Sequence, residues 1–303
     1  MPLLILILLA LTVGCVVGAV TWRYPRGAAL SPPPALDVAR AVGETARAHP
    51  GLRGALVPRL DPETATGLAL TLALLFTVVG GVLLGLLAYL VRSSSHLIRF
   101  DNGVAKWGAR HASAFSTHGL NAVTQLGSIY TVVGLCVLLA VVETLRTRSQ
   151  WIVPFIIVAV GGEEALTTIV KHVVDRTRPA FNPAAATLGP SFPSGHAATA
   201  AVFYATAALL LGRRRGHTAR TVLTALAAGI AVAVAASRVL LDVHWLTDVI
   251  AGLALGWAWF AVCAIAFGGR LLRFGVAAEV AGRAAERPAP DQPGRVPKVK
   301  SIL

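Results

Sequence analysis

"SFPSGHAATAAVFYATAALLLG", Ser191–Gly212, begins with small and polar residues and continues as a run of alanine, leucine, valine and phenylalanine. An uninterrupted apolar run of this length is typical of a helix that crosses a bilayer. Serine and glycine at its start are typical of a helix N-terminus. His196, however, puts a titratable imidazole into the first turn of this apolar helix. A functional role for it requires polar partner residues from other parts of the chain.

The composition indicates a membrane protein. Of the 303 residues, 55% are hydrophobic and 14% are charged, whereas soluble domains carry about 25% charged residues. The formal net charge of +13 comes from basic residues placed between apolar runs. Basic loops beside apolar spans are typical of membrane topology. A nucleic-acid-binding protein would concentrate them on one face or tail, so we expect no nucleic-acid partner.

Seven apolar runs are long enough to cross a bilayer core of about 30 Å. The first run could also be an uncleaved signal anchor. The sequence therefore predicts an all-α, polytopic membrane helix bundle with a core of six helices and one extra N-terminal hydrophobic segment. The predicted spans are Pro2–Val20, Thr66–Val91, Tyr130–Leu145, Trp151–Val174, Gly195–Leu211, Thr221–Leu240 and Trp245–Phe267.

The runs divide the chain into three parts. Residues 1–64 hold the N-terminal hydrophobic segment and a Pro-rich linker, residues 65–268 the six-helix core, and residues 269–303 a basic, Pro-rich tail that we predict to be disordered. Between the second and third spans, Phe100, Val104 and Trp107 are spaced to share one helix face. This pattern fits a helix lying in the membrane interface and equally a short helix packed on the bundle.

Short basic loops predict the orientation. "RRRGHTAR", Arg213–Arg220, and "RTRSQ", Arg146–Gln150, contain arginines and no acidic residue, and the tail is also basic. We expect all three on the cytoplasmic side. Alternation of the spans then puts Val174, Ser194 and His244 outside, together with the N-terminus.

Three polar clusters fall on this predicted outer side: "KHVVDRTRPA" (Lys171–Ala180), "PSGH" (Pro193–His196) and "SRVLLDVHWLTD" (Ser237–Asp248). A single lysine or arginine at the end of a span commonly extends to the headgroups. Three clusters on one side, each at a helix end, are not explained in this way. Because charged groups are costly at membrane depth, the clusters predict a functional site.

The residue types suit a phosphoryl group. Lys171, Arg178 and Arg238 are cations, and the planar guanidinium matches phosphate oxygens. Ser194 and Gly195 lie at a helix N-terminus, where free backbone N–H groups favour an anion. Gly195 has no side chain to keep that anion away. Together they predict an oxyanion cage.

Two histidines and one carboxylate could supply the chemistry. His244 and Asp248 are four residues apart on a predicted helix, so the carboxylate can orient one ring nitrogen and leave the other free to attack. His196 could then protonate the leaving oxygen. The cations can stabilise the developing charge, so the set requires neither a metal nor another cofactor.

The three clusters also match known motifs. "KHVVDRTRP" fits Lys, six residues, Arg-Pro; "PSGH" fits as written; and "SRVLLDVHWLTD" fits Ser-Arg, five residues, His, three residues, Asp. In these motifs the chain resembles the type 2 phosphatidic acid phosphatase family of membrane lipid phosphate and undecaprenyl-diphosphate phosphatases, which is related to the vanadium haloperoxidases. The match covers roughly residues 100–267, and no motif position is substituted.

The resemblance implies a function and roles for the motif residues. It implies a multi-pass protein of a bacterial-type plasma (inner) membrane with an extracytoplasmic active site that acts on a lipid substrate in the bilayer. The substrate would be phosphatidate, phosphatidylglycerophosphate or undecaprenyl diphosphate, dephosphorylated without a metal through a phosphohistidine. The implied catalytic residues are His244 (nucleophile), Asp248 (its partner) and His196 (general acid), and the implied phosphate-binding residues are Lys171, Arg178, Ser194, Gly195 and Arg238.

Other interpretations stay open at this point. A lipid phosphotransferase would share the covalent half-reaction and differ only in the acceptor. A non-enzymatic transporter is the weaker alternative, because it does not explain the spacing of His244 and Asp248. Glu163 and Glu164 lie in mid-span, where we expect a structural pairing rather than catalysis. Trp245 is expected to anchor its helix at the interface rather than to contact substrate.

Overall fold

The computed structural model describes residues 1–23, 62–180 and 182–267. Most of the predicted linker and all of the predicted tail therefore lie outside the described residues. The chain forms two units. The first contains Met1–Leu30 and Ala69–Arg273, and it carries all three polar clusters. The second, Ser31–Leu68 with Phe274–Leu303, falls mostly outside the described ranges.

Regular secondary structure within the described ranges is helical, which confirms the all-α prediction. A π-helical turn, Ile157–Gly161, interrupts the sixth helix, and a short 3₁₀ helix, Pro183–Leu188, precedes the seventh. The helices are α1 (Pro2–Arg23), α2 (Pro62–Ser93), α3 (Ser95–His111), α4 (Ala114–Gln125), α5 (Ile129–Thr147), α6 (Ile152–Val174), α7 (Gly195–Gly212), α8 (His217–Leu240) and α9 (Leu246–Ala266).

The helix lengths agree with the predicted spans. Within the described residues, six helices (α1 and α5 to α9) are long and apolar enough to cross a membrane. Helices α2 and α3 meet at an angle of 81° and could together supply a seventh span. The polytopic bundle expected from the apolar runs is confirmed, with ends that differ from the prediction by a few residues.

Helix α7 lies at the centre of the bundle, between α8 and α9. Every residue from Ala197 to Phe203 is buried, which explains the abundance of alanine in this span. Helix α9 approaches so closely that a Cβ at Gly252 would lie 2.5 Å from the carbonyl oxygen of Ser194. Membrane helices pack through such small residues because lipid supplies no hydrophobic driving force between them. The close contact holds the N-terminus of α7 against α9.

The N-terminal helix α1 packs antiparallel along α8. A Cβ on Gly14 would lie 3.1 Å from the carbonyl oxygen of Ala225, and one on Gly229 equally close to that of Ala10. At the far end, the Trp22 ring stacks on His217 with centroids 4.8 Å apart. The extra N-terminal segment is therefore a packed member of the first unit.

Helix α3 turns away from α2 and packs across the bundle end that carries the polar clusters. Asp101, Ala105 and Gly108 form its buried face. The side chain of Asp101 reaches Thr247 at the start of α9. Of the two sequence-based alternatives for this segment, packing on the bundle is therefore observed. Phe100 nevertheless stays largely exposed.

The two ends of the bundle differ in character. At one end, the turn after α7 carries Arg213, which is paired with Glu143 at 3.5 Å and donates to Thr147 at 2.7 Å. At the opposite end, the C-termini of α6 and α8 meet the N-termini of α7 and α9. The three polar clusters sit at these four termini, so they share one end of the bundle as predicted.

Candidate active site

The first cluster places a lysine beside the N-terminus of α7. Lys171 lies in the last turn of α6. A Cβ at Gly195 would lie only 3.4 Å from the Lys171 Nζ atom, so the ammonium group is next to the backbone of Gly195. Within the described residues, Lys171 has no hydrogen-bond or ion-pair partner. A cation without a partner at a helix N-terminus is suited to binding an anion.

The start of α7 adds further donors to the same place. Ser194 is the N-cap residue, and no side chain caps this helix. The first backbone N–H groups of a helix have no intrahelical acceptor. The Ser194 hydroxyl is completely buried and has no hydrogen-bond partner in the described structure. A buried polar group without a partner is costly, and a bound oxyanion would satisfy it. His196 follows in the first turn and is half-buried.

Arg178 is held by backbone carbonyl groups from two segments. Its Nε donates to the carbonyl oxygen of Gly189 at 2.9 Å, and its Nη1 donates to that of Val243 at 2.6 Å. Gly189 has φ of 72°, a conformation that favours glycine. The same Nη1 lies 3.1 Å from Nε2 of His244. The guanidinium is therefore fixed at the side of the predicted nucleophile.

These contacts define the protonation state of His244. A guanidinium has only donors, so Nε2 of His244 must be the acceptor and carries no proton. The ring proton is then on Nδ1, which lies 3.5 Å from Oδ2 of Asp248. This separation is too long for a good hydrogen bond, and Nδ1 has no hydrogen-bond partner in the part of the chain that the structure describes. The arrangement leaves a lone pair on Nε2 beside a cation that could bind a phosphoryl group.

Burial keeps this imidazole neutral. His244 lies in the loop between α8 and α9 and is 2% exposed. Desolvation is the main cause that lowers its pKa to about 4, and the charges of Arg178 and Arg238 act in the same direction against the opposing effect of Asp248. At neutral pH the ring is thus uncharged, which is the form that can act as a nucleophile.

The lowered pKa can be measured directly. In the purified protein labelled with ¹⁵N-histidine, the ring nitrogens of His244 should titrate with a midpoint near pH 4. Loss of the signal in a His244→Gln variant would assign it. A midpoint at or above 6.5, the ordinary value for histidine, would contradict the proposed effect of burial.

Asp248 belongs to a larger network that the sequence interpretation missed. Its Oδ1 accepts from Nη1 of Arg176 at 2.5 Å, and Nη2 of Arg176 donates to Asp101 at 2.8 Å. Thr247 donates to Asp101 from both its backbone nitrogen and its hydroxyl group. Asp248 also accepts from the backbone of Trp245 at 3.0 Å. The network connects α3 to the loop after α6 and to α9, and it fixes the carboxylate that faces His244.

Arg238 approaches the site from α8. It is 9% exposed, and its Nη1 donates to Thr124 of α4 at 3.0 Å. Its Nε atom is buried without a hydrogen-bond partner in the described residues. The Arg238 carbonyl oxygen accepts from the backbone nitrogens of Val243 and His244 at 3.2 and 3.3 Å. The backbone carbonyl of Arg238 thus holds the loop that carries His244, and the Nε–H group of its side chain is left available to donate a hydrogen bond.

Three residues left open by the sequence now have contacts. Glu163 is completely buried and accepts from the hydroxyl groups of Thr167 at 2.6 Å and Thr199 at 3.1 Å. Thr199 also contacts Glu164 at 3.3 Å. The acids therefore link α6 to α7, which is the structural pairing expected, with threonine as the partner.

Trp245 donates to the carbonyl oxygen of Thr177 at 2.8 Å, and the guanidinium of Arg176 lies over its ring. Trp245 therefore holds the loop after α6 in place.

All eight predicted site residues thus lie at one end of the bundle. Direct contacts link Arg178 to His244 and His244 to Asp248. Ser194 donates its backbone N–H to the carbonyl oxygen of Asp248 at 3.0 Å, and Lys171 adjoins Gly195. The catalytic and phosphate-binding roles of these residues remain predictions. Arg176, Asp101, Thr247 and Thr124 were missed because no local motif distinguishes them.

Known proteins share this architecture. The structure is similar to the crystal structure of a transmembrane PAP2 type phosphatidylglycerolphosphate phosphatase from Bacillus subtilis, with a TM-score of 0.60, 25% sequence identity, and coverage of 65% of this chain and 98% of that one. Residues 152–271 match the family model described as PAP2 superfamily. The fold and the matched region define an integral membrane lipid phosphate phosphatase. The resemblance to this family that the three motifs predicted is thereby confirmed for the matched part of the chain.

Two relatives with named activities are also similar in sequence. Phosphatidylglycerophosphatase B of Bacillus subtilis is 28% identical over 158 residues, which are 52% of this chain and 77% of the relative. Lipid A 1-phosphatase of Rhizobium johnstonii is 33% identical over 137 residues, 40% of this chain and 51% of the relative. The chain thus spans about half the length of the second relative. These names differ in the lipid that carries the phosphate.

Proposed function

We propose that the protein hydrolyses the phosphomonoester of a membrane lipid through a phosphohistidine on His244, with phosphatidylglycerophosphate as the leading substrate. The observation that carries the proposal is the contact between His244 and Arg178: Nη1, which can only donate, lies 3.1 Å from Nε2. A nucleophile and a phosphate-binding cation in contact are what an attack on phosphorus requires.

In the first step, the substrate phosphate enters the cage formed by the three cations and the N-terminus of α7. A guanidinium N–H of Arg178 moves from Nε2 to a phosphate oxygen, which frees the lone pair. Nε2 attacks phosphorus, a P–N bond forms, and the bond from phosphorus to the lipid oxygen breaks. His196 donates its proton to that leaving oxygen. Asp248 stabilises the positive charge that develops on the ring through the Nδ1 proton.

In the second step, water replaces the lipid alcohol. His196 is now neutral and can accept a proton from the water as its oxygen attacks phosphorus. The P–N bond breaks, inorganic phosphate forms, and both histidines return to their starting protonation states. Lys171, Arg178 and Arg238 stabilise the phosphoryl oxygens in both steps, so the mechanism needs no metal.

The substrate preference follows from the relatives. The solved relative is described as a phosphatidylglycerolphosphate phosphatase, and one sequence relative is phosphatidylglycerophosphatase B. Phosphate release by the purified protein should be measured with phosphatidylglycerophosphate, phosphatidate and undecaprenyl diphosphate, each with and without an added lipid or sugar acceptor. We expect the highest kcat/KM for the first. Acceptor-dependent transfer without phosphate release would instead support the phosphotransferase interpretation.

The proposal also states in which membrane the protein lies and which side of it the active site faces. The phosphatase core would be residues 65–268, flanked by residues 1–64 and 269–303, in a bacterial-type inner membrane with the site facing outward. Arg213, Arg214 and Arg215 lie in the turn at the opposite end of the bundle. Because basic loops stay in the cytoplasm, the end with His244 would be extracytoplasmic.

The orientation can be tested by cysteine labelling in intact cells. In a variant without the three natural cysteines, Leu188→Cys should react with a membrane-impermeant maleimide before lysis, since Leu188 is 54% exposed at the site end. Arg215→Cys is the matched control at the other end and should react only after lysis. The reverse pattern would show that the active site faces the cytoplasm.

A further inference from the structure

An apolar groove lies beside the catalytic end, between α1, α3, α8 and α9. Its volume is about 670 Å³, which is in the range of sites that bind small molecules. Ile5 and Leu9 of α1 form one wall, and Phe100 and Trp107 of α3 line it at the catalytic end of the bundle. Helices α1, α8 and α9 are candidate membrane spans, so the groove lies between helices that are apolar enough to face hydrocarbon chains.

The groove is separated from the catalytic residues. Leu246 and Val249 of α9 line it, whereas Asp248 of the same helix is completely buried and bound to Arg176. None of the eight predicted site residues lines the groove. Next to it, the side chain of Asp101 on the buried face of α3 is hydrogen-bonded to Thr247 of α9. The occupant is therefore a lipid other than the substrate.

One basic side chain lies among the apolar lining residues. Arg99 lines the groove next to Phe100 and is exposed. Its Nη2 is 3.1 Å from Nδ1 of His96, and within the described residues no carboxylate neutralises it. Basic residues beside an apolar groove between membrane helices are suited to lipids with an anionic headgroup. A phosphodiester at Arg99 would place its acyl chain in the groove.

We propose that this groove is the binding site of a resident anionic phospholipid, with the phosphodiester at Arg99 and one acyl chain between α1, α8 and α9. The extra N-terminal helix then has a role, since Ile5 and Leu9 complete the wall of the groove. The proposal does not depend on the catalytic mechanism, because a phosphodiester lipid such as phosphatidylglycerol has no terminal phosphate to be removed.

Gly103 provides a direct way to fill the groove. It lines the groove, and a Cβ at this position would have no atom within 4 Å, so Gly103→Trp introduces a large side chain at an unobstructed position of the groove. Gly85→Trp on α2 is the matched control: a Cβ there is equally unobstructed, and Gly85 does not line the groove. For the headgroup, Arg99→Gln is paired with Arg110→Gln, an exposed arginine on the same helix.

The experiment is native mass spectrometry of the delipidated protein titrated with phosphatidylglycerol or phosphatidylcholine. One phosphatidylglycerol should bind about tenfold more tightly than phosphatidylcholine, as expected for a charge-assisted contact. Gly103→Trp should lose both lipids, and Arg99→Gln should lose only the preference. Gly85→Trp and Arg110→Gln should match the wild type.

Further binding measurements identify the molecule that occupies the groove. Phosphatidylglycerol should bind equally well to His244→Ala protein and in the presence of excess inorganic phosphate, which would occupy only the catalytic cage. Competition by phosphate would place the lipid in the active site and overturn the proposal. Unchanged binding in Gly103→Trp would also overturn it, as would a protein dimer that this substitution dissociates, because a second copy of the chain would then fill the groove.

Discussion

Replacing His244 with alanine should abolish phosphate release, with a loss of about 10⁴-fold or more in kcat, as expected when the nucleophile of a covalent mechanism is removed. The variant should also form no phosphoenzyme. In the wild type, a rapid quench with lipid labelled in its terminal phosphate should trap the label on the protein. The adduct should be labile in acid and stable in base, the behaviour of a P–N bond.

A second histidine provides the control for this result. His172→Ala removes an exposed imidazole at the same end of the bundle, whose Nδ1 contacts the carbonyl oxygen of Thr168 at 2.8 Å. It should retain wild-type kcat. His196→Ala should slow formation of the phosphoenzyme, because the leaving oxygen loses its proton donor. Normal turnover by purified His244→Ala protein would rule out the phosphohistidine mechanism.

Replacing Arg176 with methionine should lower both stability and kcat. The guanidinium is 10% exposed and pairs with Asp101 and Asp248, whose side chains are 1% and 0% exposed. Removing one member of a buried ion pair costs about 3–5 kcal/mol, because the remaining charge is left without compensation. Asp248 would also lose its fixed position opposite Nδ1 of His244. We expect kcat to fall about 100-fold, whereas KM should change little, because Arg176 does not join the phosphate cage.

Matched variants separate positioning by Arg176 from a general loss of structure. Arg176→Lys keeps the charge, but lysine has no planar fork with which to reach both carboxylates. Its kcat and its melting temperature should therefore both lie between those of the wild type and those of Arg176→Met. Arg110→Met, an exposed change on α3, should leave them unaltered. Arg176→Met and Asp101→Asn combined should cost less than the sum of the two single changes, because the pair is coupled. A rise in KM with unchanged kcat in Arg176→Met would instead assign Arg176 to substrate binding.

Much of the helical architecture could be predicted from the sequence. The apolar run predicted as Gly195–Leu211 forms a helix over Gly195–Gly212, and the run predicted as Trp151–Val174 forms one over Ile152–Val174. These predictions succeeded because a bilayer of fixed thickness imposes a narrow range of lengths on apolar segments. The basic loops likewise predicted that the three polar clusters share one end.

The contacts between distant segments could not be predicted in this way. "DRTR" presents Arg176 and Arg178 two residues apart, and composition does not show that one binds Asp248 while the other contacts His244. The role of Asp101 depends on the 81° turn between α2 and α3, which brings its side chain to Thr247, 146 residues along the chain. The face of α3 that contains Phe100 was visible in the sequence, but the buried face with Asp101 was not.

The sequence by itself determined the class of fold, the end of the bundle that carries the polar residues and the order of the three motifs. These features depend on local properties: the length of apolar runs, the placement of basic loops and the spacing of side chains along one helix. Only the tertiary structure decided the partners of Asp248, the tautomer of His244 and the groove beside α1. Each of these depends on which helices touch and at what angle, and that is set by close packing of small residues such as Gly14 and Gly252 rather than by any local pattern.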